Sequence, residues 1–181
     1  TVEEINWNAF YGCSSLKKIV IPDSVTHVEQ AAFSACYNLT EVTFGSGVTD
    51  IAYAAFNDCR MLTTVTFTGN SLKSVGNNVF DGSAIKSLSF PDSLETLGYL
   101  VCSQLSSIYL GSGLKEITYG ICSCPELKEI RLPASLEILP ENAFSGCNLL
   151  IYAEAESQPS GWHENWNEQN LPVIWNANNA K

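Results

Sequence analysis

The stretch Leu16-Lys-Lys-Ile-Val-Ile-Pro-Asp-Ser-Val-Thr-His-Val-Glu-Gln-Ala-Ala-Phe-Ser-Ala-Cys-Tyr-Asn-Leu39 decides the fold. Its recurring apolar positions are Leu16, Ile19, Ile21, Val25, Val28, Ala32, Phe33, Cys36 and Leu39. The first part ends in strict alternation and is rich in β-branched residues, as a half-buried strand requires. Pro22 stops that strand, because proline has no N–H to give to a ladder. A second extended piece, Ser24 to Val28, predicts a minor strand. Ala32 and Phe33 lie too close to it for another strand leg, so Ala-Phe-x-x-Cys is expected to form a helical or 3₁₀-like turn. Leu39 then opens the next comb.

The same order recurs on both sides of this stretch. It precedes it as Val2, Ile5, Ala9-Phe10, Cys13 and Leu16, and follows it as Val48, Ile51, Ala55-Phe56, Cys59, Leu62, Val65 and Phe67. It continues as Leu72, Val75, Val79-Phe80, Ile85, Leu88 and Phe90. Two looser copies follow, in which Cys102 and Cys122 stand in the phenylalanine place, and a last one carries Ala143-Phe144 and Cys147. Copies open at Val2, Val25, Val48, Leu72, Leu94, Leu114 and Leu136, spaced by 23, 23, 24, 22, 20 and 22 residues. A fixed period of this size marks a repeat architecture. Each copy has one apolar comb and no second face to bury it against, so neighbours must stack into a continuous core. One strand per coil, laid in register, predicts a parallel sheet. Pro22, Pro91 and Pro133 close strands at one repeat position, where Gly45 and Gly111 stand in other coils.

The pattern from Leu16 to Leu39 resembles the BspA-like, Treponema-type leucine-rich repeat almost residue for residue, and the resemblance covers roughly 150 residues. It implies a right-handed, curved, mainly β solenoid with the parallel sheet on the concave face and short turns or helical segments on the convex side. It also implies a secreted or cell-surface bacterial protein tied to adhesion or host contact. The shortened fifth and sixth coils depart from the pattern and put the curvature there in question. On this reading residues 1–150 form a solenoid of about seven coils, and 151–181 form a Trp-rich cap with a polar tail from Asn176 to Lys181. Three of the four tryptophans, Trp162, Trp166 and Trp175, lie in that segment. A solenoid end needs its apolar cross-section covered, and large aromatics cover it efficiently. The alternative is a sugar-binding aromatic platform.

Composition bounds the function. The net charge is −10 with 15% charged residues and no Lys/Arg block, which disfavours nucleic acid and anionic lipid as partners. No apolar run approaches the ~18 residues of a membrane span, and no signal peptide is legible. Thr1 opens partway through a repeat, so the chain reads as a mature fragment or a trimmed piece. Cys13, Cys36, Cys59 and Cys147 share one repeat position and are expected as buried, reduced thiols. Their parallel side chains are poorly aimed for a disulfide; Cys122 and Cys124, in an irregular coil, are the exception to watch. Cys122-x-Cys124 lacks the second pair of a zinc site. His27 is expected at a solvent-facing position and His163 in the cap, neither beside a nucleophile. Gly45-Ser-Gly47 and Gly111-Ser-Gly113 read as repeat turns rather than a phosphate cradle.

Strand residues between the inward-facing ones point outward. They run Lys18/Val20, Glu41/Thr43, Thr64/Thr66, Ser87/Ser89, Ser107/Tyr109, Glu129/Arg131 and Tyr152/Glu154. The middle of this row is small hydroxyls, which are also ordinary solvent-facing strand residues. Its C-terminal end gathers Tyr and Arg, the types that most often anchor interfaces. The expected contact residues are therefore Tyr109, Glu129, Arg131 and Tyr152. The expected function is a non-catalytic protein-binding module, with a host or extracellular-matrix protein as partner and no cofactor or metal. A passive spacer, or glycan binding through the C-terminal aromatics, is the alternative.

Overall fold

A computed structural model describes residues 2–177; the end of the predicted polar tail, 178–181, lies outside the described residues. The chain is a mainly β solenoid. Two parallel strand systems run along it. The longer strands are β2 (Lys18–Ile21), β4 (Glu41–Phe44), β6 (Thr64–Phe67), β8 (Ser87–Ser89), β11 (Ser107–Tyr109), β14 (Glu129–Leu132) and β15 (Leu150–Ala153). The minor strands are β1 (Glu4–Ile5), β3 (His27–Val28), β5 (Asp50–Ile51), β7 (Ser74–Val75), β9 (Thr96–Leu97) and β12 (Glu116–Ile117). The two-residue strands make the continuous sheet, β1-β3-β5-β7-β9-β12. The longer strands divide into three blocks, β2-β4-β6, β8-β11 and β14-β15, the last extended by β16 (Val173–Ile174). Parallel bridges Glu116↔Ile138 and Leu139↔Trp162 carry the minor system into the C-terminal segment, so the tail winds on as a further coil.

Alternation sorts the side chains as expected. In β4, Val42 and Phe44 are buried while Glu41 and Thr43 keep solvent contact, and in β14 Ile130 and Leu132 are buried between exposed Glu129 and Arg131. Like residues stack on like. Phe10, Phe33 and Phe56 form a column with ring centroids 4.9 and 5.0 Å apart and interplanar angles of 2° and 7°; Phe80 extends it at 6.0 Å. A second column joins Phe44 to Phe67 at 4.9 Å and Phe67 to Phe90 at 6.0 Å. The two meet edge to face between Phe44 and Phe56. These spacings track the ~4.8 Å between neighbouring strands, so one backbone constraint sets both.

The Ala-Phe-x-x-Cys segment is a chain of turns and not the helical piece expected. Ala31, Ala35, Ala54 and Asp58 have φ of 53°, 59°, 55° and 59°, a left-handed geometry that no α- or 3₁₀-helix accommodates. Its N–H groups alternate in direction. Those of Ala31, Phe33 and Ala35 donate to Tyr53, Ala55 and Asn57 of the next coil, while those of Ala32, Ser34 and Cys36 close turns within their own coil. The segment thereby satisfies its backbone and joins adjacent coils, as a strand would. In the shortened coils it straightens into the paired strands β10 (Leu100–Val101) and β13 (Ile121–Cys122).

The cysteines complete this turn. The Cys36 and Cys59 thiols donate to the carbonyls of Phe10 and Phe33 at 3.2 Å, and Cys147 donates to that of Ile121 at 3.3 Å. Small volume plus one donor is what the position demands. All seven cysteines are unbonded, including Cys122 and Cys124, and only Cys13 is more than marginally exposed. Burial pushes the Cys102 thiol up to about 12, which leaves it without thiolate character at neutral pH.

Strand ends show a second fit between coils. A Cβ at Gly45 would sit 2.6 Å from the Asp23 nitrogen, and one at Gly111 2.4 Å from the Pro91 oxygen. Each Gly-Ser-Gly turn thus nests on a Pro-Asp turn of the preceding coil. The aspartate closes the fit: Ser46 N–H donates to Asp23 Oδ1 (2.7 Å), and Ser112 N–H to Asp92 Oδ1 (2.9 Å).

Two measurements check this architecture. Phe56→Ala opens a cavity in the first column, against the edge of the second, and is expected to cost about 3–5 kcal/mol in urea unfolding. Phe10→Ala, at the 39% exposed end of its column, should cost much less; equal costs would refute the column as the core element. In a thiol-reagent titration, one cysteine should react rapidly in the native protein and all seven after unfolding.

Candidate functional site

The C-terminal end of the longer-strand face is shaped by a missing ladder. Among the described residues β11 and β14 do not pair, although β8 pairs β11 and β14 pairs β15. A step in coil length accompanies the break: from the phenylalanine position to the strand-opening leucine, the first coil uses Phe10 to Leu16, whereas the fifth passes directly from Cys102 to Leu105. A cleft of about 540 Å³ opens at that step, lined by Ser106, Ser107, Ile108, Glu129, Ile130, Arg131, Tyr152 and Ile174. Ile108, an inward-facing residue by its alternation, is left partly uncovered there.

Three of the four residues expected at the site, Glu129, Arg131 and Tyr152, line this cleft. Strand register sets Arg131 opposite Tyr152 and Tyr152 opposite Ile174. The Arg131 guanidinium lies 5.6 Å from the Tyr152 ring centroid, in cation–π range. It also approaches Glu154 Oε1 at 3.7 Å and donates to the Ala177 carbonyl at 3.2 Å. Glu154 is pinned in turn, its Oε2 accepting the Ala134 N–H at 3.1 Å. Arg131 is thus held on three sides while remaining about half exposed.

Tyr109 stands apart. It lines a smaller crevice of about 50 Å³ with Arg131, Pro133 and Glu154, and Ile108 and Arg131 border both depressions. The Tyr109 hydroxyl donates to Asp92 Oδ1 at 2.6 Å. That bond, with the Ser112 N–H on the same oxygen, holds the Asp92 carboxyl below the usual carboxylate range and pushes the Tyr109 phenol above the usual tyrosine range. Sequence reading put Glu154 on the same outward row but missed Asp92 and Ile174 as neighbours of the site. Only register across coils of unequal length brings them there.

The remaining candidates are placed as follows. Trp162 and Trp166 are each 4% exposed. Trp162 Nε1–H donates to the Leu136 carbonyl (3.1 Å), Trp166 Nε1–H donates to Gln158 Oε1 (3.2 Å), and the two rings meet edge to face at 4.9 Å. Trp175 packs against both at 5.8 and 6.4 Å. Their faces are largely spent on one another and on the last coil. His27 is exposed, 3.4 Å from Asp50 on the neighbouring minor strand, and His163 accepts the Asn165 N–H. Among the described residues no group of three His, Cys, Asp or Glu could hold a metal ion, and no helix is long and apolar enough to cross a membrane.

Comparison with known proteins places this geometry. The family described as "BspA type Leucine rich repeat region" matches residues 1–101 and 55–151 in six copies. A leucine-rich repeat protein from Bacteroides ovatus superposes with a TM-score of 0.72 at 24% identity, over 88% of this chain and 45% of that one. The T. pallidum Leucine Rich Repeat protein superposes with a TM-score of 0.58 at 30% identity, over 83% of this chain and 62% of that one. This chain therefore spans less than two thirds of either. No curated protein matches it.

The Tyr109–Asp92 bond has a measurable consequence. Tyr109 has a raised folded-state pKa, so its contribution to stability is complete below the ordinary tyrosine pKa and is lost as pH rises through the shifted one. In a spectrophotometric titration, Asp92→Asn should bring one phenol back toward the ordinary tyrosine range. An unchanged titration curve would break the assignment.

Proposed function

This chain belongs to the BspA-type leucine-rich-repeat family, and from that premise we propose that it is a non-catalytic protein-binding module, of the adhesion or host-contact kind, within a secreted or cell-surface bacterial protein. One observation carries the reading: the cleft at the step between the fifth and sixth coils, with Glu129, Arg131 and Tyr152 beside the partly uncovered Ile108 and Ile174. Tyr and Arg anchor interfaces because each offers a large contact area and a polar tip at one place. Fixing Arg131 against Tyr152 and Glu154 removes part of the ordering cost of binding. A surface of mixed charge and apolar area, open to solvent, suits a segment of another protein better than an enclosed small molecule.

A passive spacer is the second reading, favoured by the Thr64/Thr66 and Ser87/Ser89 stretch, where small hydroxyls offer no anchor. Glycan binding through the C-terminal tryptophans is disfavoured by the burial of Trp162 and Trp166.

Binding of the purified chain to immobilised extracellular-matrix proteins at two salt concentrations tests the proposal. A saturable signal should survive the higher salt, which screens exposed charge. Arg131→Ala and Tyr152→Ala should each weaken it by about tenfold, as expected of anchor residues. Retention by no matrix protein, or retention indifferent to both variants, would sink the reading in favour of the spacer.

A further inference from the structure

The corner that follows each minor strand carries a row of side chains that neither the core nor the cleft uses. In chain order its positions are Trp7, Gln30, Tyr53, Asn77, Tyr99, Tyr119 and Glu141. Backbone bonds fix the stacking: Ala31 N–H donates to the Tyr53 carbonyl, Ala54 N–H to that of Asn77, and Asn78 N–H to that of Tyr99. Tyr53, Asn77, Asn78, Tyr99 and Tyr119 line one open groove of about 260 Å³.

Tyr53 and Tyr119 are 48% and 63% exposed. Tyr99 between them is half-buried, with its hydroxyl beside the Cys122 thiol. Glycines clear the space along the row. A Cβ at Gly76 would lie 2.8 Å from the Tyr53 nitrogen, and one at Gly98 2.4 Å from the Gly76 carbonyl carbon. The coils therefore approach closely, and no side chain from these two positions stands between the rings. At ~4.8 Å per coil, Tyr53 and Tyr99 are about 10 Å apart along the axis, with Tyr119 one coil beyond. The row is a linear, repeating platform.

Its polar groups are arranged for hydroxyl partners. Asn77 Oδ1 accepts the Tyr99 N–H at 2.7 Å, which leaves its amide N–H groups without an acceptor among the described residues. Asn78 Oδ1, at the floor of the groove, is buried without a hydrogen-bond partner, a costly state. The Tyr53 and Tyr119 hydroxyls also have no hydrogen-bond partner among the described residues. None of the five lining residues is charged, on a chain whose net charge is −10.

We propose that this corner is a binding groove for an extended neutral glycan, with Tyr53, Tyr99 and Tyr119 as stacking platforms and the Asn77 and Asn78 amides meeting ring hydroxyls. An anionic polymer finds no cation in the lining, and a basic peptide no carboxylate. A neutral sugar chain offers an apolar ring face for each tyrosine and hydroxyls for the amides, at a repeat comparable to the coil rise. The site lies on a different edge from the cleft and does not depend on the reading of that cleft.

Native electrophoresis through gels containing soluble mixed-linkage β-glucan, galactomannan or dextran tests it. At least one polymer should retard the wild-type chain, and the Tyr53→Ala/Tyr119→Ala double variant should lose the retardation by about tenfold or more in apparent affinity. Both tyrosines are exposed, so circular dichroism and the thermal midpoint should stay at wild-type values, and Arg131→Ala, compared with its own mobility in a polymer-free gel, should be retarded as much as wild type. Retardation by none of the polymers, or retardation that survives the double variant, overturns the proposal. So does a double variant that leaves glycans alone and abolishes binding to a protein, since the groove would then be a peptide site.

Discussion

Every other feature of this chain depends on one constraint: backbone groups of each coil must bond to the coil beside it at a fixed rise. Once His27 is level with Glu4 and Asp50, the side chains beyond are level too. Phenylalanine then meets phenylalanine at ring-stacking distance, and the Cys36, Cys59 and Cys147 thiols each reach a carbonyl one coil away. The turn segment obeys the same rule without being a strand, because half of its N–H groups point along the solenoid axis. Local preference yields to this. Ala31, Ala35 and Ala54 adopt a backbone geometry that alanine disfavours by roughly 1–2 kcal/mol each, and the bonds between coils hold them there.

Surface features arise where the constraint is interrupted. The fifth coil lacks residues between its turn and its strand, the ladder between β11 and β14 is not made, and a cleft opens with Ile108 partly bare. The minor sheet runs on beneath without a break as far as β12. A continuous edge and a divided face thus coexist in one molecule. The tyrosine corner uses a different device, Gly76 and Gly98, where any Cβ would strike the neighbouring coil.

Much of this was legible in the sequence. The period, the alternating strands and the inward cysteines follow from apolar spacing alone, because spacing is what stacking reads. The C-terminal group Glu129, Arg131 and Tyr152 was legible because outward strand positions can be listed by parity. The turn conformation was not, since alanine carries no signature of positive φ. The division of the longer-strand face was visible only as shortened spacings, whose effect depends on which edge of the coil loses residues. Tyr109 could be placed on the right face but not tied to Asp92, because that pairing crosses coils of unequal length. The tyrosine corner escaped notice because Gln30, Asn77 and Glu141 occupy the same position in other coils, and no single residue type marks it.

The nesting of Gly-Ser-Gly turns on Pro-Asp turns means that the coils are not interchangeable parts. A coil ending in Gly45-Ser-Gly47 fits above one ending in Pro22-Asp23, and Gly111 above Pro91 in the same way. Placed on a like neighbour, it would lose the carboxylate that receives its serine N–H. The array therefore has a syntax: some coils are donors of a shape and others its acceptors, in a fixed order along the chain. Recombination that adds or removes one coil at random breaks such a phrase, whereas exchange of matched pairs preserves it. In a protein whose repeats look alike, the unit that can be shuffled is larger than the unit that repeats.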